Sequence, residues 1–143
     1  MPLKIIPLGG LGEIGLNMMV YEYDDVIFIV DCGLMFPEDY MLGVDYVIPD
    51  MDYIRSHRDK VHALVLTHAH EDHIGALPFL LREIQVPIYA TAFTLGIVRH
   101  KLEEHDLLGI TELYEISPRD SLRIGPFELE FISVCHSVID GVG

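Results

Sequence analysis

The sequence is short of positive charge. Its 143 residues contain 9 Lys and Arg against 23 Asp and Glu, which gives a formal net charge of −14 at pH 7. A chain this acidic lacks the broad basic surface with which many proteins hold phosphate backbones regardless of base sequence. Nonspecific nucleic-acid binding by this chain alone is therefore disfavoured.

Cysteines and long apolar runs are also scarce. Cys32 and Cys135 are the only two cysteines, and thiols so far apart in sequence do not make the disulfide framework of a small secreted domain. The opening MPLKIIPLGG lacks the apolar run and cleavage site of a signal peptide. No segment approaches the roughly 20 apolar residues of a membrane span. We expect a soluble, cytoplasmic protein in which both cysteines are small buried residues, thiolate ligation being the lesser alternative.

The residues that are abundant are apolar, at 50% of the chain, which is enough for one domain with a real core. Three β-like runs open the sequence and predict a meander: LKIIPL, NMMVYEY and VIFIVD. HALVLTHAH then reads as a buried strand, and apolar spacings of three and four predict a helix from Ile74 to Ile84 and another around Leu95 and Leu102. VPIYA between these helices, and later TELYEI, SLRI and FELEFISV, read as further strands. The fold class is therefore α/β.

A glycine-rich stretch, GLGEIG, matches the G-x-G-x-x-G pattern of dinucleotide-binding loops. That pattern works when a helix begins directly after it and receives the pyrophosphate. Here the alternating segment NMMVYEY follows, which predicts a strand. We interpret GLGEIG as a connection between two strands.

The segment THAHEDH packs three imidazoles and two carboxylates into seven residues. In a helix, His68 and His70 would point about 200° apart, whereas an extended chain places them on the same side. Asp72 and His73 follow where the chain turns into the next helix. Imidazole nitrogens and carboxylate oxygens suit zinc, and a catalytic site keeps one position open for water. The segment predicts a metal site at a strand-to-helix corner.

A catalytic site of this kind needs a further ligand from elsewhere in the chain. His136 is the candidate, because it follows the apolar run FISV, which we expect to be a strand, at the start of a loop. Asp31 closes the run VIFIVD, and we expect its carboxylate to orient a ligand histidine. The remaining histidines lie among charged neighbours and are interpreted as surface residues: His57, His62, His100 and His105.

Several segments together resemble a known family. THAHEDH resembles the signature of the metallo-β-lactamase fold hydrolases. The segments around it narrow the resemblance to the N-terminal part of the ribonuclease J family of β-CASP nucleases: GGLGEIG, VDCGLMFPED, GVDYVIPD, THAHEDHIGALPFLL and HSVIDGVG. The implied fold is the metallo-β-lactamase αββα sandwich, of which this chain would form the N-terminal half only.

The resemblance implies a zinc-dependent ribonuclease with two zinc ions, acting as a 5′-3′ exonuclease, an endonuclease or both. His68, His70 and His136 would hold one zinc, and Asp72 with His73 would hold the other and serve as catalytic residues. Asp31 would be the supporting aspartate of the family's first motif. Zinc lowers the pKa of bound water to about 7, so a metal-bound hydroxide would attack the RNA phosphodiester, with Asp72 orienting it.

The sequence departs from the family in two ways. Ile139 stands in HSVID where the family commonly has proline in HSIPD, which alters the loop after His136 without removing the ligand. The chain also stops at Gly143, before the aspartate that bridges both metals, the inserted β-CASP domain and a later zinc-binding histidine. Residues 1–143 are therefore expected to be the N-terminal part of a metallo-β-lactamase domain, inactive alone and holding one zinc or none. A half-domain exposes apolar sheet surface, so we expect a homo-oligomer.

Two other functions fit the same residues. A metal-dependent hydrolase of a small thioester or lactone would suit an acidic surface better than a nuclease does. A domain that binds one metal, or none, and serves only as an interaction module would show zinc occupancy without hydrolysis.

Overall fold

The frame of the molecule is one mixed six-stranded sheet whose strands lie in sequence order. The computed structural model describes all residues, 1–143. The strands are β1 (Lys4–Gly9), β2 (Met18–Tyr23), β3 (Val26–Val30), β4 (Val61–Val65), β5 (Ile88–Ala90) and β6 (Leu113–Glu115). β1, β2 and β3 pair antiparallel, and β3 to β6 run parallel. The predicted meander, and the alternation of helices and strands after it, are confirmed.

Four α-helices and two single 3₁₀ turns connect the strands. The helices are α1 (Asp52–Ser56), α2 (Glu71–Ile74), α3 (Leu77–Glu83) and α4 (Ala92–Glu104), and the 3₁₀ turns are Arg58–Lys60 and Leu108–Ile110. None of the helices is both long and apolar enough to cross a membrane.

The single helix predicted from Ile74 to Ile84 is wrong in one respect, because the structure divides it into α2 and α3. The break falls at Gly75 and Ala76, and the Ala76 N–H donates to the Cys32 carbonyl at 3.0 Å. The Ala76 N–H thus bonds to a distant part of the chain and not within the helix. The periodicity of apolar side chains cannot predict such a bond. Gly75 also packs so closely that an added Cβ would lie 2.4 Å from the Leu34 side chain.

The two faces of the sheet are covered differently. Alternation along each strand sends Ile27, Ile29 and Leu64 to the helical side, where 23 buried residues form the main core. Phe28 and Ala63 face the opposite side, where seven buried residues lie beneath a hairpin of β7 (Ser121–Ile124) and β8 (Phe127–Glu130). The α/β class predicted from the sequence is confirmed.

The end of the predicted strand FELEFISV differs from expectation. β8 ends at Glu130, and beyond it Ser133 and Val142 form only an isolated bridge. Phe131 is buried in the smaller core, but Ile132 and Val134 are 59% and 45% exposed, so the sheet does not cover the run beyond Phe131. FISV is therefore part of the loop that carries His136, not a strand leading into it.

The parallel strands place several polar residues at one edge of the sheet. Asp31 follows β3, Thr67 comes just after β4 and Thr91 follows β5, and the carboxyl ends of parallel strands share an edge. β2 runs the other way, with Met19 opposite Val30, so residue 17 at its start meets the same edge. Ligands of open α/β sheets bind at this kind of edge.

Candidate metal centre

Three of the predicted ligands come together. His68 and His70 lie in the extended segment between β4 and α2, and His136 lies in the loop after β8. Their ring centroids are 4.8 Å apart for His68 and His70, and 4.6 Å and 4.7 Å from His136 to these two. One potential ligand atom from each lies within 4.8 Å of the others. The chain therefore brings the three histidines close enough to share one ion.

His68 has a buried nitrogen without a partner. The residue is 7% exposed, and its Nε2 makes no hydrogen bond although it is shielded from water. Burial, aided by the charge of His73, lowers the pKa of His68 to about 4, so the ring is neutral at physiological pH. An unpaired buried acceptor is costly unless something binds it. A neutral imidazole with a free Nε2 is a suitable metal ligand, so the donor set fits a divalent cation.

Asp31 explains why that nitrogen is free. Its Oδ1 accepts from the Thr67 N–H at 2.8 Å, and its Oδ2 accepts from the Thr67 hydroxyl at 2.7 Å. Because the hydroxyl gives its hydrogen to Asp31, it accepts from Nδ1–H of His68, which lies 2.9 Å away. The proton of His68 is thus held on Nδ1, and Nε2 is left bare.

The same carboxylate orients His73. Oδ2 of Asp31 accepts from Nδ1 of His73 at 2.6 Å, which leaves Nε2 of His73 facing Oδ2 of Asp72 at 3.6 Å. Burial acts to lower the pKa of His73, but the hydrogen bond and charge of Asp31, with a smaller effect of Asp72, outweigh it and raise the pKa. An imidazole nitrogen and a carboxylate oxygen that face each other can share a proton or a cation. Asp72 and His73 therefore form a second, two-residue group beside the three histidines.

Asn17 holds Asp72 in place, and the sequence reasoning missed it. Its backbone N–H and its Nδ2 donate to the Asp72 carbonyl at 3.1 Å and 3.0 Å, and Nδ2 also lies 3.3 Å from the carboxylate Oδ2. The residue ends the glycine-rich connection, which leads into β2 as predicted. The signal that could have found it is the meander itself, since antiparallel pairing puts the start of β2 beside the end of β3.

A close backbone approach at Gly33 fixes the same corner. The neighbouring Cys32 N–H donates to the His73 carbonyl at 2.8 Å, and the Leu34 N–H donates to the Glu71 carbonyl at 3.1 Å. Between these two bonds, a Cβ on Gly33 would lie 1.6 Å from the Asp72 carbonyl oxygen. Only glycine allows the segment after β3 to lie this close to the first turn of α2.

The other sequence candidates fall outside the site. Cys32 is buried, as expected, and burial raises the pKa of its thiol, whereas the expectation that Cys135 is buried is wrong, because the loop after β8 leaves it exposed. His57 is half-buried, with its ring 4.2 Å from that of Tyr53. The other three are exposed as predicted: His62, His100 and His105.

An open cleft of about 330 Å³ adjoins the metal-binding groups. Its polar side is formed by His70 and Asp72, and its apolar side includes Ile14, Met35 and Phe36. Ile14 and Phe36 are 90% and 64% exposed, so the apolar wall faces solvent. A molecule bound in this cleft would directly contact the candidate metal ligands His70 and Asp72.

Comparison with known proteins identifies the class that this fold and site define. The sequence model of the metallo-β-lactamase superfamily matches residues 11–133 of this chain. A solved structure of a protein of unknown function from Enterococcus faecalis superposes with a TM-score of 0.72 at 18% identity, covering 98% of this chain and 39% of that one. The chain belongs to the metallo-β-lactamase superfamily. The expected fold is confirmed, and it implies binding of divalent metal.

Within that superfamily, the similar curated proteins are ribonucleases. The chain is 52% identical to ribonuclease J of Thermus thermophilus over 147 aligned residues, covering 98% of this chain and 26% of the relative. It is 49% identical to ribonuclease J 1 of Streptococcus pyogenes over 139 residues, covering 97% of this chain and 25% of the relative. The resemblance to ribonuclease J is confirmed, and the chain spans about a quarter of the length of these relatives.

The close backbone approach at Gly33 predicts that any added side chain lowers the stability of the fold. We expect Gly33→Ala to destabilise the chain by about 2 kcal/mol or more, because the overlap forces the first turn of α2 away from β3. Urea denaturation of the metal-free protein measures this change. Gly96→Ala is the matched control, since a Cβ at this exposed position of α4 meets nothing within 4 Å. Equal stability of the Gly33→Ala variant and the wild type would contradict the close approach.

Proposed function

We propose that this chain forms the metal-binding part of a zinc-dependent ribonuclease that hydrolyses RNA phosphodiester bonds, as a 5′-3′ exonuclease, an endonuclease or both. The observation that carries the proposal is the bare, buried Nε2 of His68 inside a three-histidine cluster. The ribonuclease J names of its relatives support RNA as the substrate.

The residues of the site divide into two groups of ligands. His68, His70 and His136 would hold one zinc, and Asp72 with His73 would contribute to a second. When bound, zinc would supply an acidified water and a positive charge against the phosphoryl oxygens. Three nitrogen ligands would leave a zinc ion one position open for water, as in catalytic zinc sites.

The surrounding residues orient these groups. Asp31 holds His73 directly and His68 through the Thr67 hydroxyl, so both present Nε2 to the centre. The Asp72 carboxylate, fixed by Asn17, would accept a hydrogen bond from the water supplied with the zinc and orient it. His73 would act with Asp72 as a catalytic residue by sharing either a proton or a cation with that carboxylate.

The rest of the enzyme is assigned by proposal as well. We assign residues 1–143 to the N-terminal part of a metallo-β-lactamase domain, inactive alone. We assign the β-CASP domain and the C-terminal parts to the regions of the relatives that this chain does not cover. Those regions would also make most of the contacts to the RNA backbone. Two unpaired cysteines support a reducing, cytoplasmic location.

Metal content tests the three-histidine site. Protein purified without chelator is expected to carry about one zinc per chain by elemental analysis, and His68→Ala should lose it because the buried ligand is removed. His100→Ala is the control, since this exposed histidine lies outside the cluster. Absence of zinc from the wild type, or its retention by His68→Ala, would refute the assignment.

A chimera tests the substrate. The chain replaces the segment that it matches in Thermus thermophilus ribonuclease J, and cleavage of a labelled RNA is measured. We expect the chimera to cleave RNA. His68→Ala in the chimera should lose at least about 100-fold in rate, because losing a ligand costs at least as much as losing a residue that only orients one. Hydrolysis of a small thioester or lactone by a chimera that leaves RNA intact would favour the alternative hydrolase.

We also propose that the isolated chain self-associates. A second cleft of about 330 Å³ is lined mainly by apolar side chains, and Ile139 at its rim is 68% exposed. Exposed apolar surface of this kind promotes association. Light scattering is expected to give the mass of a dimer or larger, with a shift toward monomer in Ile139→Lys. A monodisperse 16.2 kDa species for the wild type would contradict the proposal.

A further inference from the structure

His136 is the ligand with the weakest connection to the sheet. It is exposed, and the loop from residue 131 to residue 143 contains no strand. Hydrogen bonds close the base of this loop, with Val134 N–H to the Gly141 carbonyl at 3.1 Å and reciprocal bonds between Ile132 and Gly143. These bonds fix the base, whereas the segment 135–140, which carries the histidine, has contacts of its own, among them the Ser137 hydroxyl at 3.2 Å from Nε2 of His70.

Asp140 connects this segment to the carboxyl edge of the sheet. Its backbone carbonyl accepts from the Thr91 hydroxyl at 2.8 Å, and its carboxylate Oδ2 accepts from the Phe93 N–H at 3.2 Å. Thr91 is only 1% exposed and lies between β5 and α4, so the carbonyl bond is anchored in the core. Both bonds join the loop to the same helix start.

The Asp140 carboxylate accepts a hydrogen bond at the start of α4, where backbone N–H groups lack partners within the helix. The first N–H groups of a helix have no partner within the helix, and α4 receives no capping bond from its own Thr91 side chain. The Asp140 carboxylate provides an acceptor for one of these groups and places negative charge at the positive end of a 13-residue helix.

The backbone of Asp140 is also unusual. Its φ is 64°, in the left-handed region that residues other than glycine seldom occupy. A non-glycine residue stays in this conformation where surrounding contacts hold it. The contacts observed here are the two bonds to the start of α4.

We infer that Asp140 is a positioning residue for the metal centre: its carboxylate fastens the loop to α4 and so holds His136 within reach of an ion shared with His68 and His70. The inference rests on the proposed metal site and extends it to a residue outside the ligand set. A competing role is purely structural, in which Asp140 caps α4 without affecting His136.

Asp140→Gly separates the two roles. Glycine adopts a φ of 64° freely and can keep the carbonyl bond to Thr91, so of the two observed hydrogen bonds the substitution removes only that from the Phe93 N–H to the carboxylate. We expect the affinity for zinc, measured by competition with a chromophoric chelator, to fall about 10- to 100-fold, as for other residues that orient a ligand. With cobalt(II) as the probe, the visible spectrum is expected to change because one imidazole is lost from the ion.

Two further variants complete the experiment. Asp140→Asn keeps an oxygen acceptor for Phe93, and we expect it to restore zinc affinity to within about 3-fold of the wild type, since a neutral acceptor still closes the loop. Asp106→Gly is the matched control, because Asp106 is also exposed with a φ of 56° and makes no side-chain bond to the site. It carries the same change of charge and should bind zinc as the wild type does.

The outcomes distinguish this inference from the proposed function. Wild-type zinc affinity and an unchanged cobalt spectrum in Asp140→Gly would overturn the positioning role and leave the metal site standing. A lowered melting temperature of the metal-free variant, with unchanged zinc affinity, would assign Asp140 to the helix alone and overturn it too. Failure of the wild type to bind zinc or cobalt would refute the proposed function, and the inference with it.

Discussion

The site depends on one buried carboxylate. Asp31 is 5% exposed, and burying a charge is tolerable only where hydrogen bonds replace its water. Here the Thr67 N–H, the Thr67 hydroxyl and Nδ1 of His73 supply three donors. The residue has a φ of 64°, so the chain turns sharply as it leaves β3 and presents the carboxylate to the end of β4. A single side chain thereby joins two strands and α2, and sets the protonated nitrogen on two imidazoles.

The ligands are supported to different degrees. Those between β4 and α2 lie between the sheet, Gly33 and Asn17, where backbone hydrogen bonds allow little movement. His136 instead belongs to an exposed loop that is tied at its base and to the start of α4. Because a metal site needs all its ligands held in place by supporting contacts, the contacts of that loop matter most for the proposed centre.

Sequence could predict the part of the site that is local in the chain. The spacing of His68 and His70 already requires an extended segment for both to face one ion, and Asp72 falls in the first helical turn as expected. The contacts that cross the chain were not predictable in this way. Asn17 and Asp72 are 55 positions apart, and no period in the sequence encodes their hydrogen bonds. Tertiary contacts also decide two other features. A hydrogen bond from Ala76 to Cys32 divides α2 from α3, and the run FISV forms a loop because it has only an isolated bridge and no neighbouring strand.

The acidic charge of the chain and chemistry on a polyanion are compatible in this geometry. The net charge of −14 acts mainly at long range, where salt screens it beyond about 10 Å. At the centre the local balance is different, because three imidazoles converge there and the nearby carboxylates are already engaged by donors. A divalent ion there would meet a phosphate at contact distance, where screening is weak and the local charge decides. An acidic surface would therefore limit how tightly this chain could hold RNA by itself, but it would not oppose the proposed reaction at a metal.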